Sequence, residues 1–557
     1  MNKCIRGGQA LVRELLIQEV EHVFCVPGES YLAVLDALYD APIEVTVCRH
    51  EGGAAMMAEA HGKLSGRPGI CFVTRGPGAT NASAAIHIAK QDSTPMILFV
   101  GQIERGMRDR EAFQELDYRA VFGSMSKWAT EIDSADRLPE VISRAFHVAM
   151  SGRPGPVVIA LPEDMLLDTT EARSGRKVGL FHLAPTEPNL QKLTDYLQSA
   201  ERPLLIAGGS GWTQEAVTDL VTFSELQSVP VAVSFRRQNL FPATHPHFVG
   251  DLGVGSNPQL VEYAEKADLI MLLGGRFSEL PSQSYTLLDI PVPQKKFIHV
   301  HPGAEEIGKI YSPDLSFNIT PSAFLSAAST LRPAEKKRSG LIAEGRRLYE
   351  SWSSTPTDVP GDFNLGKALV ALREEVPFDT IICNGAGNYA VWIHRFWPFK
   401  AFNTQLAPTS GTMGYGVPAA VAAKRIHPNK SVIAFAGDGC FLMHGQEFAT
   451  AVQYNLPIIV VVVDNGMYGT IRMHQEREYP TRVVATGLRN PDFAAYAQAF
   501  GGHGETVTTT EQFLGAFKRA RSSGKPSIIH CKTDPEALTP GRSLTEIRNA
   551  AFKAQAT

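Results

Sequence analysis

An α/β fold made of three doubly wound parallel-sheet domains is what the sequence predicts, on three observations. The chain has 557 residues, more than one hydrophobic core usually organises. Short apolar runs alternate with helical patterns in three separate blocks, the rhythm of parallel strands joined by crossover helices. Polar or proline-bearing stretches at 165–200 and 332–362 interrupt that rhythm, as linkers do.

The first block runs from Ala10 to Gly101 as VFCV, YLAVLDALY, IEVTV, EGGAAMMAEAHGKL, ICFVT and MILFVG, and predicts a domain over 1–170. The second starts at RPLLIAGG and continues through ADLIMLLGG to FIHVHP, predicting a central domain over 190–335. The third begins near Thr380 with IICNGAG, includes VIAFAGDG and IIVVVVDN, and predicts a domain over 360–557. The first and third blocks share a rhythm without a visible residue repeat, so common origin stays open.

Bulk properties exclude several partners. With 53 basic and 57 acidic residues the net charge is −4, so no overall field attracts nucleic acid or an anionic membrane, and a small-molecule ligand is the better expectation. No apolar run approaches the roughly 20 residues of a spanning helix. The opening MNKCIRGGQALVRELL is amphipathic, unlike a secretory signal, which predicts a cytoplasmic enzyme. Seven scattered cysteines, odd in number and without a CxxC pair, argue against a disulfide framework and against zinc.

In the third block, VIAFAGDGC reads as a buried strand ending in a glycine turn, followed by the helical stretch HGQEFATAVQYN and the buried strand IIVVVVDNGMYG. A right-handed crossover brings the C-terminal ends of both strands to one sheet edge, so Asp438 and Asn465 converge across 465 − 438 = 27 residues. Magnesium favours such oxygen donors, completed by a backbone carbonyl and phosphate oxygens. Gly437 and Gly439 leave room for backbone N–H groups beside a diphosphate. A lone GDG is equally an ordinary turn.

GDG followed at this spacing by a polyvaline strand ending in DN resembles the thiamine-diphosphate motif of the acetolactate synthase superfamily. The resemblance implies Asp438, Asn465 and the Met467 carbonyl as magnesium ligands, with Gly437, Gly439, Cys440 and Tyr468 lining the cofactor. GNYAVW is similar to the family's other diphosphate turn, with Asn388 and Tyr389 as contacts.

In the first block, RHEGGAAMMAEAHGKLSG puts Glu51 at the first turn of an alanine-rich helix, where an acid is favoured by the helix dipole alone. RHEGGAAMMAEA, TRGPGATN, DSTPMILFVGQ and AFQE follow one another as in acetolactate synthases. The resemblance implies that Glu51 contacts the pyrimidine ring, with Pro27 and Asn81 nearby. A carboxyl on N1′ favours the imino tautomer whose N4′ takes the thiazolium C2 proton. SGTMGYGVPAA resembles the segment that bends the cofactor, implying Met413 as the wedge and the Gly411 carbonyl as the 4′-amino partner; outside this context a methionine reads as core filler. In this family the activating glutamate and the diphosphate site come from different subunits, which implies a homodimer or homotetramer. The domains are then pyrimidine-binding, central and diphosphate-binding.

VPGES and AFQE imply Glu29, Phe113 and Gln114 as reaction-side residues, Gln114 stabilising developing negative charge; Glu29 reads equally as an exposed loop acid. Biosynthetic acetolactate synthases typically carry a tryptophan after a Gly-Met pair, whereas GTIRMHQ has Thr470 and His474 at the corresponding positions. That departure argues against a branched-chain biosynthetic role, and His474 reads as a pocket residue or an ordinary histidine. The family binds FAD in the central domain; here IAGGSGW is a weak nucleotide signal, and IHVHPGA puts His301 where a ribose-binding acid is expected, which argues against FAD. Arg276, in GGRFSELPSQ, reads as a substrate-carboxylate contact or a structural ion pair.

The resulting expectation is a thiamine-diphosphate- and magnesium-dependent carboligase, which removes carbon dioxide from a 2-keto acid such as pyruvate and adds the remainder to a second carbonyl. A 2-keto acid decarboxylase or a 2-hydroxy-ketone or 2-hydroxyacyl lyase uses the same machinery. Simple decarboxylases of the superfamily carry adjacent histidines where this chain has Phe113 and Gln114, which favours the carboligase. A catalytically silent subunit would be expected to lose Glu51 or Asp438, and both are present.

Overall fold

Alternating strands and helices build three six-stranded sheets, each wholly parallel, in a computed structural model that describes residues 4–179 and 183–555. The stretch predicted as a linker at 165–200 includes three residues outside that description. Among the described residues no helix is long and apolar enough to cross a membrane.

The first sheet is ordered Glu44–Val47, His22–Cys25, Gly69–Val73, Met96–Gln102, Pro156–Pro162, Trp128–Glu131. The third is ordered Gln405–Leu406, Ile381–Asn384, Val432–Gly437, Ile459–Asp464, Ser527–Lys532, His503–Val507. Numbered by appearance within each sheet, both read 2-1-3-4-6-5, whereas the central sheet reads 3-2-1-4-5-6. The two outer domains therefore share a topology that their residues do not display. In each sheet the order reverses beside the first strand, and ligands of open α/β sheets bind at such a reversal, beyond the C-terminal ends of the strands.

In the central sheet that reversal is closed by packing. A Cβ on Gly209 would stand 1.7 Å from the Gly274 carbonyl oxygen, and the Trp212 indole donates to the Gly208 carbonyl at 2.8 Å. The turns after the two strands are thus in direct backbone contact.

The outer domains share one core. Glu51–Ser65 is helical because His50 caps its start, accepting from Gly52 N–H at 3.0 Å, and Gly66 ends it in the left-handed conformation. Its small buried residues, Ala54, Ala55 and Ala58, belong to the same cluster as Ala419, Ala420 and Ala423 of the helix Gly416–Ile426. Small side chains on both helices permit close approach. Glu59 is fully buried there, accepts from Tyr415 Oη at 2.5 Å and Thr94 Oγ1 at 2.7 Å, and pairs with Lys63 at 3.2 Å. An unpaired buried carboxylate would cost several kcal/mol, so these partners are what make it tolerable.

All three domains meet at Gln91 and Asp92. Arg276 of the central domain donates to the Gln91 carbonyl at 2.6 Å and Arg237 to that of Asp92 at 3.0 Å. The Asp92 carboxylate accepts from Thr409 N–H at 2.7 Å and pairs with Lys63.

Candidate active site

The reversal point of the third sheet opens into a cavity of about 240 Å³. Gly437 ends one strand and Asp438 begins the helix Asp438–His444, so the helix starts at the motif aspartate itself, earlier than the sequence pattern implies. It is also broken: a 3₁₀ turn, Gly445–Glu447, separates it from Phe448–Gln453, where the sequence predicts one helical stretch. Gly439 and Cys440 lie in its first turn, where backbone N–H groups have no partner within the helix. Gly439 is required sterically, since a Cβ there would stand 2.6 Å from the Tyr468 ring.

Asp438 and Asn465 both face this cavity, as do Met467, Tyr468 and Thr470 of the following loop and helix. The loop is strapped by Thr486–Leu488: Tyr468 N–H donates to the Thr486 carbonyl at 2.9 Å and Leu488 N–H to that of Gly466 at 2.8 Å. Asn388 and Tyr389 form the opposite wall. Asn388 Oδ1 accepts from Thr470 Oγ1 at 2.8 Å. The Tyr389 hydroxyl is taken up by Gly385 N–H at 3.0 Å and Cys440 Sγ at 3.3 Å. Gly411 and Met413 complete the rim, Gly411 at φ +67° with no atom within 4 Å of a Cβ built on it.

Burial pushes the Asp438 carboxyl above the usual carboxylate range. Burial would raise neighbouring Asp464 too, but hydrogen bonds from His530, Lys532 and Asn490 outweigh it and hold Asp464 below that range. One acid of this pair therefore stays charged through fixed donors. Among the described residues no three His, Cys, Asp or Glu side chains gather in a metal-ligand cluster. The cavity offers instead one carboxylate, from Asp438, two side-chain amides, from Asn388 and Asn465, and backbone carbonyls, a hard-oxygen set that fits magnesium beside a phosphate.

Every residue lining the cavity comes from 359 to 538. Glu51 stands elsewhere, at the C-terminal edge of the first sheet. Asn81 Nδ2 donates to Glu51 Oε2 at 3.0 Å, and a Cβ on Gly78 would stand 3.4 Å from Oε1. Pro27 and Glu29 follow the first strand of that sheet, and both are exposed. Arg75, which sequence reasoning missed, gathers the remainder: it faces Glu29 Oε1 at 3.7 Å, donates to the Phe113 carbonyl at 3.2 Å and to Glu163 at 3.0 Å. Phe113 is 72% exposed, and Gln114, at φ +65°, packs so closely on Gly76 that a Cβ there would stand 2.7 Å away.

Two further expected residues lie off the cavity lining. His474 is exposed on the helix Gly469–Glu478 and meets Arg477 Nη2 at 2.6 Å. Arg276 binds the Gln91 carbonyl rather than a carboxylate, and burial lowers its guanidinium to about 10. It borders a space of about 10 Å³ with Phe297, His299 and Tyr311, room for one water. His301 is buried beside Gly303, whose N–H donates to its Nδ1 at 3.0 Å.

Other residues had no sequence signal. Val359 and Phe363 from the interdomain segment and Leu538 from the tail form apolar walls of the cavity. Asn490, in a loop between helices, bridges Asp438 and Asp464.

Compared with known proteins, residues 5–121, 190–328 and 385–531 match family models described as the N-terminal TPP binding domain, the central domain and the C-terminal TPP binding domain of thiamine pyrophosphate enzymes. The chain is 31% identical to the acetolactate synthase large subunit of Corynebacterium glutamicum, with 98% of this chain and 90% of the relative covered. It is 30% identical to the acetolactate synthase isozyme 2 large subunit of Escherichia coli, covering 98% and 99% respectively. The acetolactate synthase of Mycobacterium leprae is 30% identical, with 98% and 91% covered.

Proposed function

Because the chain belongs to the thiamine pyrophosphate enzymes, we propose that it is a magnesium-dependent, acetolactate synthase-like carboligase whose donor is a 2-keto acid such as pyruvate. One observation carries this reading: Asp438 and Asn465 face a cavity built wholly from the C-terminal half, while Glu51 waits at the edge of another sheet. Each chain then offers two half-sites, and two copies complete them. The working form is a homodimer or a larger closed assembly.

Thiamine diphosphate, when bound, supplies a nucleophilic carbon for the keto carbonyl and accepts the electron pair released as carbon dioxide leaves. Asp438, Asn465 and the Met467 carbonyl hold magnesium, and Gly437, Gly439 and Cys440 receive the diphosphate. Met413 and Gly411 support the bend of the cofactor. Glu51 keeps Oε2 on Asn81 and offers Oε1 as the proton-handling atom toward the pyrimidine. Gln114 and Glu29, fixed around Arg75 and Gly76, face the reacting carbonyl, and exposed Phe113 becomes a wall once a second copy docks.

A decarboxylase or lyase would use the same groups. Incubating the protein with magnesium, thiamine diphosphate and a panel of 2-keto acids and aldehydes, then identifying products by mass spectrometry, separates these reactions. A lengthened 2-hydroxy-ketone product supports the carboligase; release of the aldehyde alone overturns it.

A further inference from the structure

We propose that Glu447, from the C-terminal domain, is the positioning residue for Glu51; this deepens the reading of Glu51 above and rests on it. Glu447 ends the 3₁₀ turn that follows the helix begun by Asp438, and it is fully buried. Its carboxylate crosses to the first domain. There Oε1 accepts from His50 N–H at 2.9 Å, and both oxygens accept from Arg49 N–H, at 3.1 and 3.2 Å. Thr450 Oγ1 donates to Oε2 at 2.6 Å. Arg49 and His50 are the two residues before Glu51, so the bonds fix the chain where it enters the helix that carries the acid.

The two glycines after Glu51 have a steric reason in the same contact. A Cβ on Gly53 would stand 2.4 Å from Glu447 Oε1, and one on Gly52 would stand 2.6 Å from His444 Nε2. The rings of His50 and His444 meet edge to face, their centroids 5.3 Å apart. One C-terminal segment thus seats the whole Arg49–Gly53 turn.

Holding the domains together does not require this. The alanine-rich core already joins them, and a buried carboxylate costs several kcal/mol unless its oxygens are satisfied. What a carboxylate adds over an apolar contact is direction: donors from two successive residues aim at it, and those residues lead directly into Glu51. Burial raises its carboxyl above the usual range, while the bonds from Thr450, Arg49 and His50 oppose that rise. An amide in its place would turn an N–H₂ group toward one of these donors.

The test compares Glu447→Gln, Gly53→Ala, their combination and Glu51→Gln in the full-length protein. Amide hydrogen exchange over residues 47–55 is measured without cofactor, then thiamine diphosphate affinity in magnesium, then deuterium uptake at the cofactor's C2 position. Glu447→Gln is expected to speed amide exchange at Arg49 and His50, change cofactor affinity by no more than about threefold, and slow C2 exchange by about tenfold or more. Gly53→Ala, which displaces the same carboxylate, should act alike, and the combination should be no worse than the stronger single change. Faster amide exchange with an unchanged C2 rate, or additive effects, overturns the proposal in favour of a simple strut. If Glu447→Gln does not fold, Gly53→Ala carries the same three measurements. Wild-type C2 exchange in Glu51→Gln would instead sink the reading of Glu51.

Discussion

The amide nitrogen of Asn490 lies 2.7 Å from the Asp438 carboxylate, and the same nitrogen lies 2.7 Å from Asp464. Two acids that would otherwise repel are held at a fixed spacing by one donor group. The Asn490 carbonyl oxygen is buried without a hydrogen-bond partner among the described residues, so this side chain keeps an acceptor beside the two acids. Residues that orient a metal ligand commonly change metal affinity by about 10- to 100-fold when replaced. Asn490→Ala is therefore expected to weaken magnesium-dependent cofactor binding by about that factor, read by calorimetry at fixed thiamine diphosphate; unchanged affinity would remove Asn490 from the site.

Glu51→Gln and Asp438→Ala should fail differently. The first is expected to retain cofactor while turnover falls by about 10²- to 10⁴-fold, the usual contribution of a proton-transfer group. The second is expected to lose cofactor binding in magnesium. Steady-state rates beside titration calorimetry check both, and full activity in either variant contradicts its assignment.

Mixing those two inactive variants tests the shared site directly. In a hybrid dimer one site receives Glu51 from one chain and Asp438 from the other, and is intact. Random subunit exchange should restore about a quarter of wild-type activity, since half the dimers are hybrids with one good site of two. A site built within a single chain would show no recovery.

The tail over the cavity should loosen in acid. Glu476 is fully buried and accepts from Arg548 of the C-terminal helix Leu544–Gln555 at 2.8 Å and from Arg472 at 2.8 Å. The bond from Arg548, opposed by burial and aided by Thr481 N–H and Arg472, holds its carboxyl at about 2 against an ordinary 4.5. A depressed folded value means the stabilisation is complete above about 4.5 and lost as pH falls toward about 2; it corresponds to about 3 kcal/mol. Leu538 and Leu544 pack on Met467, so the loss reaches the cavity wall. Limited proteolysis of the tail between pH 5 and pH 2 should show increasing cleavage in the wild type, and Glu476→Gln should be cleaved at both ends of the range.

The purified protein should show no flavin absorbance. His301 stands buried against Gly303, and the reversal of the central sheet is closed by the contact between Gly209 and Gly274. A yellow preparation that releases FAD on denaturation would overturn this.

Asp438 and Asn465 were legible because strand, turn and crossover send strand ends to one edge, whereas Gly411 and Met413, which line the same cavity, came only from the resemblance of SGTMGYGVPAA. Phe363, Leu538 and Asn490 were not, because they arrive from connecting segments whose residues follow no period. His474 was left between a pocket residue and an ordinary histidine for a related reason: a motif position gives distance along a helix, while its position around the axis decides whether it meets the cavity or Arg477. The helix at Asp438 began early because Asp is as well suited to a first helical turn as to a loop. For the outer domains the sequence offered a shared rhythm but not the common strand order, since that order depends on which apolar runs become neighbours and not on which residues compose them.

The seam of alanines between Glu51–Ser65 and Gly416–Ile426 carries a wider liability. On the proposed assembly of two copies, the acid mounted on one flank of that seam would serve one reaction centre and the Asp438 edge on the other flank would serve its twin. A single bulky substitution there would distort both half-sites of the chain that carries it, so a hybrid of one such chain and one wild-type chain should lose both centres, where a half-site variant would keep one.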